Sequence, residues 1–134
     1  VYGERQSDKG VYALVIGKFL NQLKNRQKLT VYGDGKQTRD FTFVGDVAMA
    51  NLLSVSAKLA KGTNTIVNIG TSKETSVNQI SSFLGGESEY IVPNPRGEYE
   101  ERRKVADISL AKKILGWEPT VTIEEGLKLL QKKK

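Results

Sequence analysis

The run at 65–69, TIVNI, constrains the fold of this chain more than any other stretch. It is short, rich in β-branched residues and nearly continuous in apolar character, without the alternation of a strand that keeps one wet face. Such a run predicts a strand covered on both sides, which belongs in an α/β arrangement with helices flanking short strands. Helices are predicted around it. Over 11–26, Ile16, Phe19, Leu20 and Leu23 recur at i, i+3, i+4 and i+7, an apolar stripe on an otherwise polar helix. Gly45-Asp46 marks the start of a second helix, with Ala48, Leu52, Val55 and Leu59 at helical spacing until Gly62. Ser76 and Gln79 have capping-box spacing for a helix to about Leu84. Asp107 is placed to cap a helix carrying Ile108, Ala111 and Leu115 that stops at Gly116. Thr122 and Glu125 form a second capping box, opening a last helix with Ile123, Leu127 and Leu130. Three more strands are expected: Leu29–Tyr32, ended by the Gly33-Asp34-Gly35 turn; 38–44, with Phe41 and Phe43 on one face and Thr42 opposite; and 90–92.

Composition narrows the function. A chain of 134 residues, 38% hydrophobic and 27% charged, makes one domain over 1–134 with a modest core. No run approaches the roughly 18 apolar residues of a membrane helix, and the opening VYGERQSDKG lacks the apolar stretch of a signal peptide, so no membrane partner is expected. With no Cys and no His, a disulfide framework, a thiol nucleophile, a zinc site of the usual kind and an imidazole base are all excluded. The net charge of +6 permits binding of nucleic acid or of a small anion such as a nucleoside diphosphate. Its lysines are scattered over helix exteriors, and the basic face with interleaved aromatics that nucleic acid requires is missing. No nucleic-acid partner is therefore expected.

Two stretches carry candidate chemistry. In LTVYGDGKQTRDFTFV, residues 29–44, Gly33 and Gly35 let backbone approach a ligand, Tyr32 offers a flat face and Arg39 a bidentate fork for phosphate oxygens. A β-hairpin with a glycine turn and a surface arginine explains the same residues without a ligand. In Asn94-Pro95-Arg96-Gly97-Glu98, a loop arginine can close on a diphosphate while a carboxylate accepts from ribose hydroxyls. The alternative is a solvated loop whose Glu98, Glu100 and Glu101 face Arg102, Arg103 and Lys104. Trp117, in GWEP, is most simply a core or lid residue. A dinucleotide glycine fingerprint, a P-loop, a nucleophile elbow and a metal-ligand cluster are all missing, so no catalytic residue is assigned and a binding domain is favoured over a complete enzyme.

These stretches, in their order, resemble the C-terminal portion of the extended short-chain dehydrogenase/reductase family of NAD-dependent nucleotide-sugar epimerases and dehydratases, which includes UDP-glucose 4-epimerase. VYGERQ is similar to the family's N-V-Y-G-P-R-Q segment, and LTVYGDGKQTRDFTFVGDVAMANLL to its L-x-[IV]-[YF]-G-D-G-x-Q-x-R-D signature. NIGTSKETSVNQI and ADISLAKKILGWEPTVTIEEGL follow as the family's next two motifs. The likeness runs from Val1 nearly to the end.

The resemblance implies an α/β substrate-binding portion of helices and short strands, without the N-terminal Rossmann half. It implies that Thr30, Val31 and Tyr32 line the site of a base, with main-chain contacts at Thr30 and Tyr32. It assigns Arg39 and Arg96 to the diphosphate and Glu98 to the ribose hydroxyls, with Glu100 as the alternative to Glu98. The family's NAD fingerprint and its YxxxK catalytic motif have no counterpart here, so the chain is expected to be a fragment, inactive alone, with NAD belonging to the intact enzyme and not held tightly by this chain. The substrate is expected to be a UDP- or dTDP-sugar, the location cytoplasmic, and the missing Rossmann half the natural partner. Stripped of that half, the TIVNI strand and the helix before it predict self-association. A 4,6-dehydratase half and a non-catalytic binding or assembly module are the alternative functions.

Overall fold

The computed structural model describes residues 1–7, 14–58, 64–95, 97 and 101–132. In chain order its elements are α1 (Val15–Lys24), β1 (Leu29–Tyr32), β2 (Thr38–Arg39), α2 (Val44–Val55), β3 (Thr75–Ser76), α3 (Val77–Leu84), β4 (Ser88–Ile91), α4 (Ser109–Leu115) and α5 (Ile123–Lys132). It is an α/β chain of helices and short strands, as expected. β1 pairs in parallel with β4, Leu29 opposite Ser88 and Tyr32 opposite Ile91, while β2 pairs antiparallel with β3.

Locally encoded features appear where the sequence puts them. On α1, Ile16 and Phe19 are buried, and Leu20 and Leu23 pack against the same core. Ser76 Oγ accepts from the backbone N–H of Gln79 while Gln79 Oε1 accepts from that of Ser76, a complete capping box for α3. That helix ends on Gly85 in the left-handed region, at φ 75°, which glycine reaches without the cost a Cβ imposes. Thr122 and Glu125 exchange the same pair of bonds at the start of α5. The cap expected at Asp107 is corrected by one residue: Ile108 holds the cap position of α4 with no side-chain cap bond, and Asp107, before it, accepts from the N–H of Ser109.

Two strand expectations are corrected. Residues 65–69 form no strand: Ile66 is 88% exposed, and only Val67 and Ile69 lie against a cluster of Ala50, Ile108, Ala111 and Trp117. A β-branched run needs a ladder partner to become a strand, and no described segment runs beside it. The expected strand over 38–44 shortens to Thr38–Arg39. Beyond it Thr42 is the buried residue, at 3% exposure, and Phe41 and Phe43 are only partly buried. The reason is Tyr2. Its N–H donates to the Thr42 carbonyl and its carbonyl accepts from the N–H of Val44, so 42–44 is held from the side by the start of the chain. The hairpin reading of 29–44 is overturned as well, since β1 and β2 each take a distant partner and not each other.

The second helix begins at Val44 and ends at Val55; Leu59 and Gly62 lie outside the described residues. Its buried residues are Asp46 and Ala50, so the expected stripe through Leu52 and Val55 faces outward, at 64% and 85% exposure. Trp117 is a core residue. Its indole N–H donates to the Asp46 carbonyl at 2.9 Å, while the Asp46 carboxylate accepts from Thr120 N–H, Thr120 Oγ–H and Val121 N–H. This knot joins the start of α2 to the segment before α5.

The main core gathers Tyr2, Ile16, Phe19, Leu29, Val31, Val77, Ile80, Leu84 and Leu127, packing α1 and α3 against β1 with α5 behind them. No helix among the described residues is long and apolar enough to cross a membrane.

Candidate functional site

A cavity of about 280 Å³ opens beside α1, between the start of the chain and the edge of β1. Thr30 and Tyr32 reach it because successive side chains of a strand point to opposite faces. The same alternation sends Val31 inward: it is fully buried in the core and does not line the cavity. Arg39 joins from β2, carried there by the pairing of β2 with β3. Three of the residues singled out in the sequence, Thr30, Tyr32 and Arg39, therefore share one wall system. Arg96 and Glu98, with the alternative Glu100, lie outside the described residues.

The geometry around Arg39 is built by residues far from it in sequence. Its Nη1 donates to the carbonyls of Thr38 and Glu101, at 2.7 and 2.8 Å. Thr38 N–H donates to the Arg102 carbonyl, so 101–102 runs along β2. Asp40, also on the cavity wall, accepts from Thr71 N–H and Oγ–H, Ser72 N–H and Ala106 N–H. Gly70 is tight against this carboxylate, where a Cβ would collide with Asp40 and Ala106.

The basic run 102–104 reaches beyond its own loop, and Glu98 and Glu100, expected to face it, lie outside the described residues. Arg102 makes a two-pronged contact with Asp34 in the glycine turn, and Arg103 a similar one with Glu74. Lys104 pairs with its neighbour Glu101 at 3.0 Å. The Arg102 hydrogen bonds, then the Lys36 N–H, hold the Asp34 carboxyl down to about 2. Hydrogen bonds from Arg103 and then Thr38 likewise lower that of Glu74. Arg102 is thereby tied to the turn after β1.

Sequence reasoning missed the glutamines. Gln22, in the last turn of α1, donates to Thr30 Oγ1 at 2.7 Å and accepts from Thr30 N–H, so it satisfies the strand edge at Thr30. Gln37 donates to the Tyr32 carbonyl, and Gln6 also lines the cavity. Amide side chains have no periodic or spacing signature, and only tertiary placement reveals them. Tyr2, another lining residue, donates to the Thr122 carbonyl at 3.3 Å; burial and then the Asp46 charge raise its phenol above the ordinary value.

Chemically, the cavity has an apolar flank from α1, an aromatic face at Tyr32, and the cations Lys18 and Arg39 beside an Asp40 carboxylate already engaged by four donor groups. That arrangement suits an anionic ligand with a flat apolar part. The glycine turn after β1 leads into β2 and not into a helix N-terminus.

Comparison with known proteins decides the family. The model of the GDP-mannose 4,6 dehydratase family matches residues 1–130. The chain belongs to this nucleotide-sugar epimerase/dehydratase family. A Methanocaldococcus jannaschii protein provisionally named a UDP-glucose 4-epimerase is 46% identical to it over 132 residues, 96% of this chain and 41% of that protein. The UDP-glucose 4-epimerase of Thermotoga maritima, solved with UDP-glucose, superposes with a TM-score of 0.83 at 37% identity, over 98% of this chain and 43% of that one. The UDP-glucuronic acid 4-epimerase of Bacillus cereus, solved with NAD, gives a TM-score of 0.78 at 27% identity, over 99% and 43%. This epimerase/dehydratase chain thus spans about two fifths of the length of the relatives it matches, and corresponds to their C-terminal portion.

Proposed function

We propose that the chain supplies the nucleoside-diphosphate-binding half of an NAD-dependent nucleotide-sugar epimerase acting on a UDP- or dTDP-sugar. The observation that carries this reading is the convergence of Thr30, Tyr32 and Arg39 on one cavity whose flank is apolar. Tyr32 offers a face to the base, and the backbone at Thr30 and Tyr32 lies at the cavity edge. The Arg39 guanidinium supplies a planar fork matched to phosphate oxygens. Val31 supports the wall from the core side. In this reading Arg96 is the second diphosphate arginine and Glu98, or Glu100 in its place, takes the ribose hydroxyls.

NAD enters as the cofactor of the intact family enzyme, held by a Rossmann half, and supplies the hydride chemistry at the sugar. The chain's own residues bind and orient the nucleotide. A 4,6-dehydratase half is the second reading, favoured by the description of the matching family model. The cytoplasmic location expected from the sequence belongs to the same proposal. So does the partner: the outward face of α2, with Met49, Leu52 and Val55 exposed, is held to pack against the Rossmann half, or against a second copy when that half is missing.

Isothermal titration with UDP, dTDP and GDP at low salt tests the proposal, with Arg39→Ala in parallel. One of the three is expected to bind, and the variant to bind it at least ~10-fold more weakly, as befits loss of a charge-assisted contact. Binding that survives Arg39→Ala unchanged, or no binding of any nucleotide, defeats the reading.

A further inference from the structure

Residues 101–103 lie along β2 as a strap. Thr38 N–H donates to the Arg102 carbonyl, and Arg39 Nη1 donates to the Glu101 carbonyl at 2.8 Å. Because Nη1 also donates to the Thr38 carbonyl, the direction of the Arg39 guanidinium is set jointly by its own strand and by the strap. The strap is in turn held by its side chains. Arg103 reaches Glu74, immediately before β3, at 2.8 Å, and Arg102 reaches Asp34 with both Nη atoms, at 3.1 and 2.9 Å. Asp34 is a firm anchor. Its carboxylate accepts from the Lys36 N–H, its carbonyl accepts from Asn78 Nδ2, and the Asn78 N–H donates to the Gly35 carbonyl, so the glycine turn is pinned to the first turn of α3.

Neither Asp34 nor Arg102 lines the cavity, and their side chains are 44% and 65% exposed. An ion pair so open to water adds little to global stability. A two-pronged guanidinium–carboxylate contact nevertheless fixes direction, and here it fixes the backbone on which Arg39 leans. We propose that Asp34 and Arg102 are positioning residues of the anion site, holding the Glu101 carbonyl against Arg39 and so aiming its guanidinium at the ligand's diphosphate. The inference rests on the nucleotide-sugar reading above. A guanidinium already bound to two carbonyls gives up less freedom when it takes a phosphate, and that advantage is lost when the strap is released.

Asp34→Asn tests this. Asparagine matches the shape and keeps an acceptor for the Lys36 N–H, but removes the charge and one of the two oxygens that Arg102 uses. The variant is expected to melt within about 2 °C of the parent. It is expected to bind the nucleotide that the parent takes, UDP, dTDP or GDP, about 5-fold more weakly. Arg102→Gln is expected to do the same, and the two together no more than either alone. The decisive comparison sets Arg39→Ala beside Arg39→Ala with Asp34→Asn, titrated by NMR into the millimolar range. No further loss is expected there, because the group through which Asp34 acts is gone, whereas a merely structural role would weaken both backgrounds alike. Parent affinity in Asp34→Asn, or an undiminished loss in the Arg39→Ala background, overturns the positioning role and leaves the nucleotide reading standing. A parent that binds none of the three nucleotides overturns that reading and this inference with it.

Discussion

At the scale of single residues, two aspartates tie together segments that lie far apart in the chain. Asp40 gathers 71–72 and 106 onto β2, next to the arginine of the site. Asp46, at 3% exposure, ties the first turn of α2 to Thr120 and Val121, with the Trp117 indole donating to its carbonyl. A buried carboxylate is tolerable when donors surround it, and it also favours the positive end of the helix dipole. Asp46→Asn turns one acceptor into a donor facing N–H groups. It is expected to lower folding stability by about 2 kcal/mol, read as a fall in the urea midpoint at unchanged slope. A loss below ~0.5 kcal/mol would mean that Thr120 and Val121 find other acceptors. In the sequence, Asp46 read as a helix-start residue; nothing near it announces Thr120, because the two are joined only through the fold.

At the scale of elements, the helix ends were the most legible part of the sequence. A capping box needs only a side chain and an N–H three residues apart, so the Ser76–Gln79 and Thr122–Glu125 spacings specify their own partners. Ser76→Ala is expected to cost about 1 kcal/mol, visible in thermal melts as a drop of several degrees with the cavity residues left in place. An unchanged melt would show that packing of Val77, Ile80 and Leu84 alone holds α3. Strands were less legible for a physical reason. A strand exists through its neighbour, and neither the parallel match of β1 with β4 nor the match of β2 with β3 has a local signature. The same dependence explains why 65–69 has strand composition and no strand.

For the molecule as a whole, the contrast between its faces matters most. The main core buries nine of the described residues. Met49, Leu52 and Val55 on α2 and Ile66 in the 65–69 segment are exposed. An apolar surface of this kind is usually covered. The chain on its own is expected to self-associate with rising concentration in light scattering, and Leu52→Glu with Val55→Glu to return it to monomer. A parent that stays monomeric well above micromolar concentration would show that this face is stable in water.

What the sequence determined by itself was whatever depends on spacing along the chain: the helix stripes, the caps, the glycine stops and the ordered motifs that resemble the epimerase/dehydratase family. Thr30, Tyr32 and Arg39 could be singled out because they sit inside such a motif. Tertiary structure alone decided their convergence on one cavity, the turn of Val31 into the core, the pairing of Arg102 and Arg103 with Asp34 and Glu74, and the burial of Gln6 without partners. Each of these joins groups that chain spacing leaves unrelated. Hydrogen bonds and burial are satisfied in three dimensions, so their partners are chosen by topology.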